Sequence, residues 1–117
     1  MAGHRSARMA EEIKRELARL IRDEMKDPRL GFLSITDVEV SKDIRHAKIY
    51  VSVLGDEEVR KATLTALKQA TGFLRSELSN KIRVRFMPEL VFQFDDSIEK
   101  GTRINELLIQ AKRETDA

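Results

Sequence analysis

The chain predicts an α+β domain: a three-stranded sheet with helices packed on one face. Three observations lead there. Apolar residues recur at helical spacing in Met9, Ile13, Leu17, Leu20 and Ile21, and they alternate strictly in "HAKIYVSV". Glycine and proline then divide the chain into helix, strand, strand, bent helix, strand and helix. With 117 residues there is enough chain for one core. No internal repeat or long linker divides it, so residues 1–95 are expected to form the domain and 96–117 a C-terminal helix and tail.

The first helix is expected from Ser6, as N-cap, to about Met25. "DPRLG" ends it, because Pro28 disfavours helical geometry at Asp27 and Gly31 permits a turn. In "FLSITDVEV", Leu33 and Ile35 lie in one phase and Val38 and Val40 in the other, which predicts a bulge or twist near Asp37. After a turn at "SKDI", the second strand places Ala47, Ile49, Val51 and Val53 on the core face, making a hairpin. Asp56 is the expected N-cap of the next helix, with Glu57 and Glu58 where the helix dipole favours acids. Its apolar stripe runs through Val59, Ala62, Ala66, Leu67, Ala70, Leu74, Leu78 and Ile82, keeping phase across Gly72. Glycine inside a helix costs about 1 kcal/mol relative to alanine, so Gly72 implies a bend, a close packing contact, or both. From Ile82 to Phe94 the period is two, with Ile82, Val84 and Phe86 on one side and Lys81, Arg83 and Arg85 on the other, and Pro88 pushes the start of the third strand towards "ELVFQF". Asp96 and Glu99 have capping-box spacing ahead of a final stripe containing Ile104, Leu107, Leu108 and Ala111.

Composition narrows the function classes. Charged residues make up 36% of the chain and no apolar run could span a bilayer, so no membrane segment is expected. The N-terminus has no apolar block of a secretory signal, which points to a cytoplasmic protein. There is no cysteine and there are only two histidines, too few for most zinc sites, and no metal or cofactor is expected. Net charge is only +2, but the bases cluster. Arg5, Arg8, Lys14, Arg15, Arg19 and Arg22 outnumber the acids of the first segment and "KIRVR" has no acid, while acids gather in "GDEE" and "DDSIE". Such asymmetry fits either an anionic partner or solvated helix faces.

Catalysis finds little support. Asp95 and Asp96 are neighbours that would point to opposite faces of a strand, which weakens a metal-dependent nuclease reading. His46 sits beside Arg45 and Lys48 on the outer face, and Ser41, Ser76 and Ser97 have no histidine at triad spacing. Nucleic-acid modules separate by element order. An RNA-recognition motif begins with a strand and needs exposed aromatics, whereas here only Tyr50 falls on the outer face. Phe32, Phe73, Phe86, Phe92 and Phe94 are expected in the core. Helix, two strands, two helical segments and a third strand is the order of the KH domain of the bacterial type (type II), where the joint between the central helices clamps a nucleic-acid backbone. That joint here is Ala70, Thr71 and Gly72.

The stretches "RMAEEIKREL", "LGFLSITDVEVSKDIRHAKIYVSVLG", "ATGFLRSEL" and "MPELVFQFDDSIEKGTRINELL", in this order and at this spacing, closely resemble the ribosome-binding factor A family of bacterial assembly factors. The resemblance covers nearly the whole chain and implies a KH-like fold. It also implies a non-catalytic factor that binds the immature small (30S) subunit and its 16S rRNA, assists late maturation and processing of the RNA ends, and matters for growth in the cold. KH domains usually carry Gly-x-x-Gly at the joint. The Ala-x-Gly found here implies a kink in place of an open loop, one that carries Arg75 and Lys81 to the RNA side. The expected contacts are Arg5 and Arg8, Lys42 and Arg45 in the hairpin turn, the joint Ala70, Thr71 and Gly72, Arg75, and above all Lys81, Arg83 and Arg85. The factor is expected to act as a monomer. An alternative is a protein-interaction module docking a ribosomal protein or another assembly factor through the bare sheet face or the final helix.

Overall fold

The leading amphipathic run forms a helix, α1, over Ala2–Asp23. A computed structural model describes residues 2–95, with side chains from Arg5 onward; the expected C-terminal helix, including Leu107 and Leu108, lies outside the described residues. The helix starts before the expected N-cap, and Ser6 is buried inside it. Ser6 precedes Ala10 by four residues and Ile13 by seven, so it falls on the inward stripe and packs instead of capping. Ile13 and Leu17 on that stripe are fully buried. The turn that follows is held by Asp27, whose carboxylate accepts hydrogen bonds from the Arg29 backbone N–H (2.9 Å), Nε (3.0 Å) and Nη2 (2.7 Å). The Arg29 guanidinium pulls the Asp27 carboxyl down to about 2.

Strands β1 (Phe32–Val40) and β2 (His46–Leu54) pair antiparallel, and the register slips between Ile35 and Asp37, as the change of apolar phase requires. Ala47, Ile49 and Val51 of β2 are completely buried. The hairpin turn is built on Ser41, whose Oγ accepts from the Arg45 and His46 backbone N–H groups (both 3.1 Å) and donates to Asp43 Oδ1 (2.7 Å). Ile44 in this turn has φ +54°, a left-handed conformation that costs a β-branched residue about 1–3 kcal/mol.

Two helices follow, α2 (Glu57–Gln69) and α3 (Thr71–Lys81), and then strand β3 (Glu89–Phe94), parallel to β2, giving a mixed sheet of order β1-β2-β3. Asp56 caps α2 by accepting from Val59 N (2.9 Å). The helices share the inner face of the sheet with α1, while His46, Lys48 and Ser52 of β2 and Glu89 and Val91 of β3 are exposed on the other. The architecture is the α+β one expected, and its element order is that of the KH-like arrangement.

Two glycines bring the ends of the hairpin against α2. A Cβ on Gly31 would sit 2.7 Å from Val59 Cγ1, and one on Gly55, which has φ +143°, 2.8 Å from the same atom. Thr63 locks this junction: it is fully buried, and its Oγ1 accepts from Gly31 N (3.0 Å) and lies 2.8 Å from Val59 O and 3.2 Å from Arg29 O.

The break between α2 and α3 is a kink, not a loop. Ala70 (φ −92°, ψ 3°) still donates to Ala66 O (3.0 Å) and Leu67 O (3.1 Å), and its own carbonyl accepts from Leu74 N (2.9 Å). Among the described residues a Cβ on Gly72 would meet nothing within 4 Å, so close packing against them does not explain this glycine. Beyond α3, residues 82–88 are not strand. Ile82, Met87 and Pro88 are buried, but Phe86 is 52% exposed, so the expected alternation fails between Phe86 and Met87. Phe32 and Phe73 are also exposed, against expectation, and of the five phenylalanines only Phe92 is fully in the core. Phe32 opens β1 on its outward phase opposite Leu54, and Phe73 lies on the solvent side of α3.

Thr63→Val leaves the Gly31 N–H without its partner and is expected to lower stability by about 1–3 kcal/mol in urea unfolding, with Thr63→Ser close to wild type. Gly72→Ala is expected to raise stability by up to about 1 kcal/mol, since the methyl meets open space. A lower urea midpoint would show that the fold itself needs this glycine.

Candidate nucleic-acid interface

Three separate elements converge on one groove. The start of α1 brings Arg5 and Arg8, the β1–β2 turn brings Lys42, Asp43 and Ile44, and the irregular segment before β3 brings Arg83, Val84, Arg85 and Phe86. The groove encloses about 670 Å³. Five basic side chains line it against two acids, Glu12 and Asp43. Among the described residues none of the five bases forms an ion pair, and all five are exposed. Asp43 is committed to the turn: the Ser41 hydroxyl and the Arg45 N–H hold its carboxyl below the usual carboxylate range. Concentrated, unneutralised cations in a concave surface focus potential and suit a polyanion.

The expected contacts divide accordingly. Arg5, Arg8, Lys42, Arg83 and Arg85 meet in the groove. Arg45 lies next to it in the turn, with its Nε 4.0 Å from Asp43. Lys81 does not project with Arg83 and Arg85, because it ends α3, where helical geometry replaces the expected alternation, and it faces a cleft shared with Glu16, Asp23 and Glu24. Ala70, Thr71 and Gly72 do not line the groove either. The Thr71 hydroxyl is spent on Lys68 O (2.9 Å), leaving the exposed Gly72 as the open point of the joint.

Arg75 lies outside the groove lining and is engaged within the fold. Its Nε lies 3.2 Å from both Met87 O and Pro88 O, and Nη2 also donates to Met87 O (2.5 Å). The guanidinium sits 5.8 Å from the centroid of the Phe86 ring. Arg75 is thus a positioning residue, tying α3 to the segment that presents Arg83, Arg85 and Phe86. Sequence reasoning missed Phe86 and Ile44 as groove residues. Pro88 was the available signal for Phe86, because a residue that cannot join a ladder also releases its predecessors from strand alternation. Asp95, weighed as a catalytic carboxylate, lies 2.6 Å from the Thr36 hydroxyl at the end of β3, and Asp96 is outside the described residues.

Comparison with known proteins agrees with this architecture. Residues 5–108 match the family model described as ribosome-binding factor A. The ribosome-binding factor A of Heliobacterium modesticaldum is 71% identical over 117 residues, covering 100% of this chain and 97% of that one. A solution NMR structure of a Thermotoga maritima protein described as a possible ribosome binding factor A superposes with a TM-score of 0.71 at 39% identity, over 81% of this chain and 91% of that one. A homology model of the Thermus thermophilus factor, fitted into a cryo-EM map of a 30S–RbfA complex, gives a TM-score of 0.63 at 32% identity, over 74% and 91% of the two chains. With a match across most of its length and close relatives over all of it, the chain belongs to the ribosome-binding factor A family.

Proposed function

We propose that this protein binds the immature small ribosomal subunit through 16S rRNA and assists late maturation and processing of the RNA ends without catalysing a reaction. It works in the cytoplasm as a monomer, needs no cofactor, and matters most in the cold. The observation that carries this reading is the groove, in which five cations without an ion-pair partner among the described residues converge from three elements. The Thermus thermophilus relative fitted into a 30S complex supports the choice of partner. Phosphates of folded rRNA are neutralised by Arg5, Arg8, Lys42, Arg83 and Arg85, and the shape of the assembled subunit sets the site.

A second reading, docking of a ribosomal protein or another assembly factor, is favoured by one feature. Phe32 (81% exposed) and Leu54 (74% exposed) stand opposite each other in register at one end of the sheet.

Co-sedimentation with isolated small subunits separates the two. The folded variant carrying Arg8→Glu, Arg83→Glu and Arg85→Glu is expected to stop pelleting, whereas Phe32→Ser with Leu54→Ser pellets normally; the reverse pattern selects protein docking. Wild-type log affinity should fall against log salt with a slope of roughly −3 to −5 for about five phosphate contacts. Arg75→Lys keeps the charge but loses the fork. It is expected to weaken pelleting together with thermal stability, whereas Arg83→Glu weakens pelleting alone, as circular dichroism melts of the two variants would report.

A further inference from the structure

We infer that the basic groove takes an unpaired RNA nucleotide, with its base stacked on Phe86 and its phosphates held by the surrounding cations. This rests on the reading of the groove as the rRNA-binding surface and specifies what it grips: a single strand, not a duplex.

Phe86 is 52% exposed although its neighbour Met87 is buried and Pro88 almost wholly so. The backbone therefore turns the ring out into the groove while committing the next two residues to the core. The ring is also held in place. Arg75 bonds the carbonyls of Met87 and Pro88, and its guanidinium backs the ring at 5.8 Å from the centroid. An aromatic ring that is half exposed in the groove, with a guanidinium near one face that itself lies outside the groove, is a stacking platform with little ordering left to do on binding.

The rest of the lining matches the two halves of a nucleotide. Met9, Ile44 and Val84 add apolar surface beside the ring, and the bases supply phosphate partners around it. A duplex offers phosphates to such a rim but keeps its base faces stacked inside, so it leaves Phe86 unused. Single strands expose both, and alternating cations and aromatics are how sequence-tolerant single-strand binders work. Ile44 keeps a left-handed backbone at the edge of this groove, and strained backbone is concentrated at ligand sites. The site is distinct from the helical joint, since Ala70, Thr71 and Gly72 do not line it.

The test uses the full chain, a fluorescein-labelled oligoadenylate of about eight nucleotides, and an RNA duplex of the same length, compared by fluorescence anisotropy at one salt concentration. The single strand is expected to bind more tightly than the duplex. Phe86→Leu keeps apolar bulk but loses stacking, and should weaken single-strand binding about tenfold with little effect on the duplex. Phe86→Trp should retain single-strand affinity, and as the chain has no other tryptophan its emission should be quenched by unlabelled oligoadenylate. Equal affinity for single strand and duplex, wild-type single-strand affinity in Phe86→Leu, or an unquenched tryptophan would each overturn the inference. If Phe86→Leu binds as wild type while the charge-reversed triple variant no longer pellets with small subunits, stacking is wrong and the rRNA reading stands. If wild type binds neither oligonucleotide and does not pellet, both fall.

Discussion

The groove depends on the bonds from Arg75 to the carbonyls of Met87 and Pro88. These two carbonyls lie in a segment with no strand partner, and Pro88 has no N–H to give to a ladder. A charged fork answers both at once, and charge-assisted bonds of this kind contribute about 1.5–3 kcal/mol each. Arg75 reaches them from α3, beyond the kink at Ala70. Once Met87 and Pro88 are fixed, β3 starts in register: Glu89 N donates to Arg45 O (2.9 Å) and Leu90 pairs opposite Ala47. The kink, the arginine and the start of the third strand form one device, and Arg83, Arg85 and Phe86 are what it presents.

The other wall of the groove is stabilised independently. Gly31 and Gly55 let both ends of the hairpin press on Val59, and Thr63 bonds the Gly31 backbone to α2. That anchors the hairpin at its open end, while Ser41 and Asp43 organise its turn at the other, beside α1. Asp43 is one of two acids near five cations, and it answers the Ser41 hydroxyl and the Arg45 N–H, besides lying 4.0 Å from Arg45 Nε. Its charge therefore serves the turn that positions Lys42 and Ile44.

How much of this was legible follows from where periodicity holds. The three described helices, the hairpin, the bulge near Asp37, the Asp56 cap and the Ala70 kink were readable, because each leaves a repeat or a break in a repeat within a few residues. The candidate bases Arg5, Arg8, Lys42, Arg83 and Arg85 were readable as charges. Their convergence was not, since it brings together the ends of three elements far apart in sequence. Errors came where a pattern was extended past its element: Lys81 and Phe86 were given strand alternation, one from inside a helix and the other from an irregular turn. Ser6 was misread in the opposite sense, as a cap by residue type when its register placed it on the buried stripe. Arg75 looked like a free cation because nothing local shows that its partners are two carbonyls 12 and 13 residues away.

The modest net charge of +2 is compatible with a polyanionic partner because the charges are sorted in space. Lys81 and Arg19 face a cleft with Glu16, Asp23 and Glu24, and Arg22 pairs with Asp23 at 3.0 Å, so that end of α1 is close to neutral. The opposite end of the same helix contributes Arg5 and Arg8 to the groove without an acid in ion-pair range among the described residues. Charges screened over roughly 8 Å at physiological salt act locally, so an approaching phosphate responds to the groove more than to the sum over the chain. On the proposed reading, this sorting makes the groove, and not the near-neutral end of α1, the place where phosphate is met.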